Sequence, residues 1–588
     1  MAATPKPRVP ILALALVFAS ACPDTSEPER TGGETPGTDD EAGDSSEDST
    51  GEPETETETE TGTETGTETG TETETETETE TETETEGEES TGPGQPCGED
   101  PDPFQVETTL GLVEGRDAVD GQGLRYWGIP YAAPPVGPLR FAPPQPPEPW
   151  DEPLVAFTRG PKCVQPLDAE GSGTEGEEDC LQLNVWTPQA CVGADLPVMV
   201  FIHGGGNAIG SAVEPLYEGT PLSHTQEVVV VTLNYRLGAL GNLAHPGLDA
   251  ESPDGVSGNY GLQDQIAALE WVQANIAAFG GDPERVLVFG ESAGAVNTCA
   301  LITTPAAQGL FSAALVQSGA CSPPTRAAVD PNAEELAASA GCTGTPEEVV
   351  ACLRALPPEE LALLEPTGYP SVAALGRGWG PHVDGVVLPA SPLEAMAAGT
   401  PGTPLVIGSN RDETFRDVPP GLTEAQVTAL IDATFSALAP QVLAAYPFAD
   451  YPSPSEMYAQ LTTDLKFICS ARRGAEASFA GGAPTWRYQF AYDGYFVPPD
   501  TPAYAFHGLE LLYLFDNFSI FEGINYPSLP SDVALSEAMQ ARWVEFAATG
   551  VFEGPAYDGA DPYLDLDDPI IEGAGLRTEQ CDFWDALL

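Results

Sequence analysis

A serine stands between two glycines in Gly290-Glu291-Ser292-Ala293-Gly294, just after the apolar run Arg285 to Phe289 and just before a helix-compatible segment. Strand, abrupt turn and helix are the setting in which a G-x-S-x-G pentapeptide lifts a hydroxyl to the carboxyl end of a strand. A serine hydroxyl is a weak nucleophile until a base takes its proton, and the base needs an acid to orient it. For a serine on such an elbow the chain order is serine, acid, histidine. The chain has five histidines, His203, His224, His245, His382 and His507, and only His507 lies beyond a plausible acid that itself follows Ser292. That acid is Glu413, in Gly408-Ser-Asn-Arg-Asp-Glu413, directly after the apolar stretch Pro404 to Gly408. A further motif, His203-Gly204-Gly205-Gly206, ends the run Val198 to Ile202. Consecutive glycines at a strand end leave backbone N–H groups able to face a developing oxyanion, together with the N–H of the residue after the nucleophile, Ala293. The chemistry implied is acyl transfer through a covalent serine intermediate.

These residues need a scaffold that brings distant strand ends together. Unalternating apolar runs recur at Val198–Ile202, Val228–Leu233, Val286–Phe289, Ala314–Val316 and Leu405–Ile407. Such runs suit parallel strands covered on both faces. Between them lie helical patterns: Ile266, Leu269, Val272, Ile276 and Phe279 fall at helical spacing within Asp264–Phe279, and the pattern stops at Gly280-Gly281. Strands alternating with helices predict an α/β fold with a central, mostly parallel sheet flanked by helices.

The ends of the chain read differently. Of 588 residues with a formal net charge of −71, residues 23–96 hold 27 Asp and Glu against the single Arg30. From Cys97 onward 65 Asp and Glu still face 18 Lys and Arg, and so acidic a surface repels phosphate backbones, which excludes nucleic acid as a partner. Residues 1–21 have the parts of an export signal: Lys6 and Arg8, the apolar stretch Val9–Phe18, then Ala19-Ser20-Ala21. Cys22 follows directly, as in the lipobox of bacterial lipoproteins, so it is the expected lipidation site; the alternative is an ordinary cleaved signal. The expected location is an outer-membrane or cell-surface lipoprotein, otherwise a secreted protein. Residues 22–96, with their TETETE and TETG repeats, offer no apolar face to bury and repel themselves, so they are expected to form a disordered tether. Residues 97–588 have globular composition and form the expected single enzyme domain. No His and Cys cluster has zinc-ligand spacing, so neither metal nor cofactor is expected.

From about Val106 to Trp584 the chain resembles the type-B carboxylesterases, the cholinesterase-like branch of the α/β-hydrolases. The resemblance rests on Gly128-Ile-Pro-Tyr-Ala132, Pro134-Pro-Val-Gly137, Leu139-Arg-Phe141, Glu178-Asp-Cys-Leu181, Leu183-Asn-Val-Trp186, His203-Gly-Gly-Gly206, Asn234-Tyr-Arg236, Gly258-Asn-Tyr-Gly261, Phe279-Gly-Gly-Asp-Pro283, Phe289-Gly-Glu-Ser-Ala-Gly294 and Gln317-Ser-Gly319. It implies an α/β-hydrolase fold, Ser292 as nucleophile, Glu413 and His507 as its partners, and Gly205, Gly206 and Ala293 as oxyanion donors. It also implies disulfides Cys163–Cys180, Cys342–Cys352 and Cys469–Cys581. Cys299, on the helix after the elbow, and Cys321, just past the next strand, are expected to pair, which leaves Cys97 with Cys191 by elimination. The chain departs from the pattern twice. Asn207 stands where the family usually has an aromatic or other apolar residue, and no tryptophan lies between Cys163 and Cys180, where cholinesterases carry their choline-stacking ring. Trp379 and Tyr513 are the remaining aromatics that could take over that stacking. The expected partner is therefore a small ester other than a choline ester. Two other readings stand beside it: a non-catalytic adhesion protein of the same fold, and a polyester or amide hydrolase. Oligomeric state is not legible in the sequence.

Overall fold

The computed structural model describes residues 104–118, 121–167, 172–188, 191–364, 378–399, 401–494, 504–518 and 528–587. The expected export signal, the tether and Cys97 lie outside them.

The expected sheet is present and larger than the sequence pattern suggested. Its strands are β1 (Arg116–Asp117), β2 (Leu124–Pro130), β3 (Gln182–Thr187), β4 (Leu196–Ile202), β5 (Val229–Leu233), β6 (Gly281–Glu291), β7 (Ala313–Gln317), β8 (Leu405–Asn410), β9 (Thr485–Phe490), β10 (Pro562–Leu566) and β11 (Ile571–Ala574). They run across the sheet in the order β11-β10-β9-β8-β7-β6-β4-β5-β3-β2-β1. From β5 to β10 every neighbouring pair is parallel, and the antiparallel pairs lie toward the two edges.

The central strands read as unbroken apolar runs because both of their faces are buried. Val198, Val200 and Ile202 enter one core with Val286, Val288, Val316 and Ile407. The alternate residues Met199, Phe201, Leu287, Phe289, Leu315 and Val406 enter a second core on the opposite face. Period-two alternation of side chains thus divides each strand between two layers of helices. The first layer includes α1 (Tyr260–Asn275), α2 (Ala293–Thr303) and, past α3 (Pro454–Thr463), which packs in a separate cluster, α4 (Cys469–Ala480); the second is built on α5 (Leu509–Phe515) and α6 (Pro530–Thr549). Helix α1 starts four residues before the predicted Asp264. Its last predicted turn, Ile276–Phe279, is 3₁₀, closed by Gly280 at φ 86°.

Several motif residues that look chemical in the sequence serve packing. Arg236 donates twice to buried Asp264 (Nε to Oδ2 2.8 Å, Nη2 to Oδ1 2.6 Å). Arg140 makes the same fork to Glu178, at 2.6 and 2.5 Å. Bidentate pairing compensates the cost of withdrawing both charges from water. The disulfides Cys163–Cys180, Cys299–Cys321, Cys342–Cys352 and Cys469–Cys581 are all formed. Cys191 is disulfide-bonded as well, whereas Cys97, its expected partner, lies outside the described residues.

Candidate active site

The elbow forms where β6 meets α2. Ser292 takes φ 57° and ψ −118°, a conformation that a non-glycine residue holds only when the surroundings impose it. The surroundings do so through close approach. A Cβ on Gly290 would overlap the Gly294 backbone, and one on Gly294 would overlap the Ile202 carbonyl at the end of β4. Ser292 N–H is held by the Gln317 carbonyl at 2.9 Å, which ties the elbow to the end of β7. The serine side chain is half-buried at this junction.

The next parallel strand, β8, delivers the acid. Glu413 lies three residues past Asn410, is buried, and accepts the Asn410 N–H at 2.8 Å on Oε1. Its other oxygen, Oε2, is 2.6 Å from Nδ1 of His507. The loop carrying His507 is laced to the loop carrying Glu413. The Asp412 N–H donates to the Ala505 carbonyl at 3.0 Å, the Asp412 carboxylate accepts the Ala505 N–H at 3.0 Å, and the His507 N–H donates to the Glu413 carbonyl at 3.1 Å. The Asn410 amide reaches the Phe506 carbonyl at 2.7 Å and Glu510 at 2.5 Å. Residues 94 positions apart are thereby fixed as one unit.

His507 Nε2 faces back toward the elbow, 3.1 Å from Oε1 of Glu291, the residue before Ser292. Burial disfavours the imidazolium, but Glu291, Glu413 and Glu510 outweigh it and carry the His507 pKa up to about 10. Burial in turn raises Glu291 to about 7 and Glu510 to about 8. Glu291, Glu510 and the His507 imidazole therefore share protons as a set.

The glycine loop after β4 lies against the elbow: a Cβ on Gly204 would stand 3.0 Å from Cβ of Ser292. Gly205 and Gly206 adopt φ 107° and 65°. His203 points away into the core, stacked on Tyr235 at 4.5 Å, and burial lowers its pKa to about 4, so it stays neutral. Asn207, the departure from the family pattern, is buried, and its Oδ1 accepts from Asn297 of α2 at 2.8 Å. It joins the glycine loop to the helix that begins at the elbow. The remaining histidines are elsewhere: His224 is exposed, His245 caps a helix, and His382 is enclosed beside Asn259.

Tyr513 is wholly buried among Phe490, Tyr492 and Phe518, and Trp379 is buried in a separate cluster with Leu336 and Tyr260. Phe467 meets the site, 4.9 Å from the His507 ring, on the π-helical turn Asp464–Ile468 between α3 and α4. Neither Phe467 nor Asn297 stands out in the sequence. The π turn could have signalled the first, since such bulges cluster at functional sites, but i to i+5 pairing leaves no pattern in residue types. Among the described residues no group of three His, Cys, Asp or Glu side chains is placed to hold a metal ion.

The model of the carboxylesterase family matches residues 102–584. The chain belongs to that family. It is a carboxylic ester hydrolase, as are relatives of known activity. It is 39% identical to the para-nitrobenzyl esterase of Bacillus subtilis over 458 residues, covering 76% of this chain and 90% of that one. It is 38% identical to the fumonisin B1 esterase of Sphingopyxis macrogoltabida, covering 76% and 82%. Among solved structures, a carboxylesterase of Geobacillus stearothermophilus superposes with a TM-score of 0.71 at 33% identity, covering 82% of this chain and all of the other. A para-nitrobenzyl esterase structure superposes at 0.70 with 35% identity, again over 82% of this chain. An α/β-hydrolase fold thus carries the esterase geometry described above.

Proposed function

We propose that Ser292, His507 and Glu413 form the catalytic triad of an exported esterase, with the N–H groups of Gly205, Gly206 and Ala293 as its oxyanion hole. The observation that supports this reading most is the 2.6 Å contact between His507 Nδ1 and Glu413, on a ring whose Nε2 is turned toward the Ser292 elbow. His507 takes the Ser292 proton as the hydroxyl attacks the ester carbonyl, and the carbonyl electrons move onto an oxygen held by the backbone donors. Collapse of the tetrahedral intermediate expels the alcohol, which leaves with the proton from His507. Water, activated by the same imidazole, then releases the acid. A fluorophosphonate probe should label Ser292 alone, at one equivalent, and abolish p-nitrophenyl butyrate hydrolysis; full activity after complete labelling would sink the assignment. Export and attachment at Cys22 belong to this proposal on the strength of residues 1–22. Membrane fractionation checks the anchor: Cys22→Ser should release the enzyme.

The proton-sharing set sets the pH dependence. Only neutral His507 accepts a proton, so rate falls as pH drops through its pKa. Because neighbouring carboxyl groups raise that pKa, the acid limb of kcat/KM should lie above about 6.5, the unperturbed value for histidine. Glu291→Gln removes one of the raising charges and should move the limb downward by about one pH unit. An acid limb at the ordinary value, unmoved in the variant, would show that Glu291 does not act on His507.

A further inference from the structure

We propose that Asn207 and Asn297 form a clamp that registers the two halves of the oxyanion hole against each other, with Asn207 as the positioning residue of the glycine loop. The inference rests on Gly205, Gly206 and Ala293 being the backbone donors.

Those donors come from two separate elements. Gly205 and Gly206 follow β4, whereas Ala293 is the first residue of α2. An oxyanion gains from all of them only when they reach one point, each about 2.7–3.1 Å from the oxygen. The elbow places Ala293, because the N–H of Ser292 before it is held on the Gln317 carbonyl. The glycine loop has to be registered by something else.

Gly206 and Asn207 are the central residues of a turn in which the Gly205 carbonyl accepts the N–H groups of Ala208 and Ile209, at 3.1 and 3.0 Å. Both central residues have positive φ, 65° and 55°. Asparagine is among the few residues with a side chain that enter this region readily. The turn thus accounts for an asparagine here, but not for its burial, with 5% of its surface exposed. Asn297 accounts for that: its Nδ2 donates to Asn207 Oδ1 at 2.8 Å. The rest of Asn207 is enclosed as well. Its carbonyl accepts the Gly238 N–H at 2.6 Å, and a Cβ on Gly380 would stand 2.8 Å from its Nδ2.

Asn297 lies four residues after Ala293, one turn further along the same face of α2. Helical side chains lean toward the N-terminus, so the Asn297 amide reaches back over the turn that Ala293 begins as it bonds the loop. Asn297 is buried too, and a hydrogen bond between buried groups is costly to leave unmade. One side-chain bond therefore links the residue beside Gly206 to the helical turn that carries Ala293. An apolar residue at 207, the usual occupant in the family pattern, would hold the loop by packing alone; a hydrogen bond sets direction as well as distance.

The test is a double-mutant cycle in the full-length enzyme with Asn207→Gly, Asn297→Ala and the double variant. Glycine keeps the positive φ at 207 and alanine keeps the helix, so each removes the bond with little change in backbone. Rates on p-nitrophenyl butyrate are taken per active site, titrated to completion with a fluorophosphonate, so misfolded enzyme does not count. Each single variant should lose about tenfold in kcat with KM held within about twofold, less than the roughly hundredfold or more that follows outright loss of a donor. Affinity for a trifluoromethyl ketone should fall by the same factor as kcat/KM, because its carbonyl takes up the Ser292 oxygen and becomes an oxyanion, the proton passing to His507. The double variant should match the worse single within about twofold, since both substitutions break one bond. Should Asn207→Gly fail to fold, Asn297→Ala decides through the same kcat and ketone measurements. A contact serving folding alone would lower the unfolding temperature and leave kcat per titrated site unchanged; that result, or losses that multiply in the double variant, would overturn the clamp. Failure of the ketone to inhibit the unaltered enzyme would overturn the triad reading instead.

Discussion

Ser292→Ala is expected to lower kcat on p-nitrophenyl butyrate by about six powers of ten, the scale at which a hydrolase loses its nucleophile. The magnitude follows from non-additivity: once the hydroxyl is gone, His507 and Glu413 have no proton to move, and only the backbone donors still favour the tetrahedral state. The fold should be indifferent to the change. The elbow is held by backbone groups, Ser292 N–H on the Gln317 carbonyl and the N–H groups of Ala295 and Val296 on the Ser292 carbonyl, and alanine keeps all of them. Alanine also meets the same constraint at φ 57° that serine does. Thermal unfolding should thus be unchanged within about a degree while turnover disappears, since substitutions that leave packing and hydrogen bonds alone cost under about 0.5 kcal/mol. A variant with a tenth of normal activity, freshly purified and free of contaminating esterase, would rule Ser292 out as nucleophile.

Glu413→Gln should lower kcat by about four powers of ten, through the wrong tautomer of His507. The glutamine is nearly isosteric and can keep the Asn410 N–H on its oxygen. Its NH₂ group then faces His507 Nδ1, where Oε2 had stood at 2.6 Å. An amide donor there requires Nδ1 to be an acceptor, which places the ring proton on Nε2, the nitrogen that has to receive the Ser292 proton. The neighbouring carboxyl groups offer no ready substitute. Glu291 contacts Nε2, and Glu510 is fully buried and bound by the Asn410 amide. Single-turnover rates measure the loss without interference from product release. A loss below about tenfold would move the orienting role from Glu413 to one of those two residues.

The strand–elbow–helix at Ser292 was legible because it is local. A strand pattern, two glycines and a helix pattern lie within twenty residues, and the glycines are required by contacts with Gly294 and Ile202 backbone that leave no room for a side chain. The central strands were legible for a related reason: burial on both faces selects apolar residues at every position, whichever neighbour each strand has. The edges were less so. β1 and β11, the two edge strands, are short or mixed in character, since an edge strand is half solvated and is under weaker selection for pattern.

Residue order and scarcity within the sequence determined the candidate chemistry: one serine on an elbow, one glutamate after a later strand, one histidine after that glutamate. The composition of residues 22–96 likewise determined their reading as a tether, because a chain without apolar side chains has nothing to bury. Tertiary structure decided the rest. Asn207 breaks the family pattern in sequence, and in the fold it accepts from the Asn297 amide, a contact across 90 residues. Glu291 reads as part of a turn motif, yet it meets His507, more than two hundred residues later in the chain. Phe467 carries no motif and reaches the site because the π turn Asp464–Ile468 packs its ring on the His507 imidazole. Local preference acts over a few residues, so it can specify an elbow. The meeting of strand ends and loops depends on the packing of two cores against one sheet, and the protonation of His507 depends on the burial of three carboxyl groups around it.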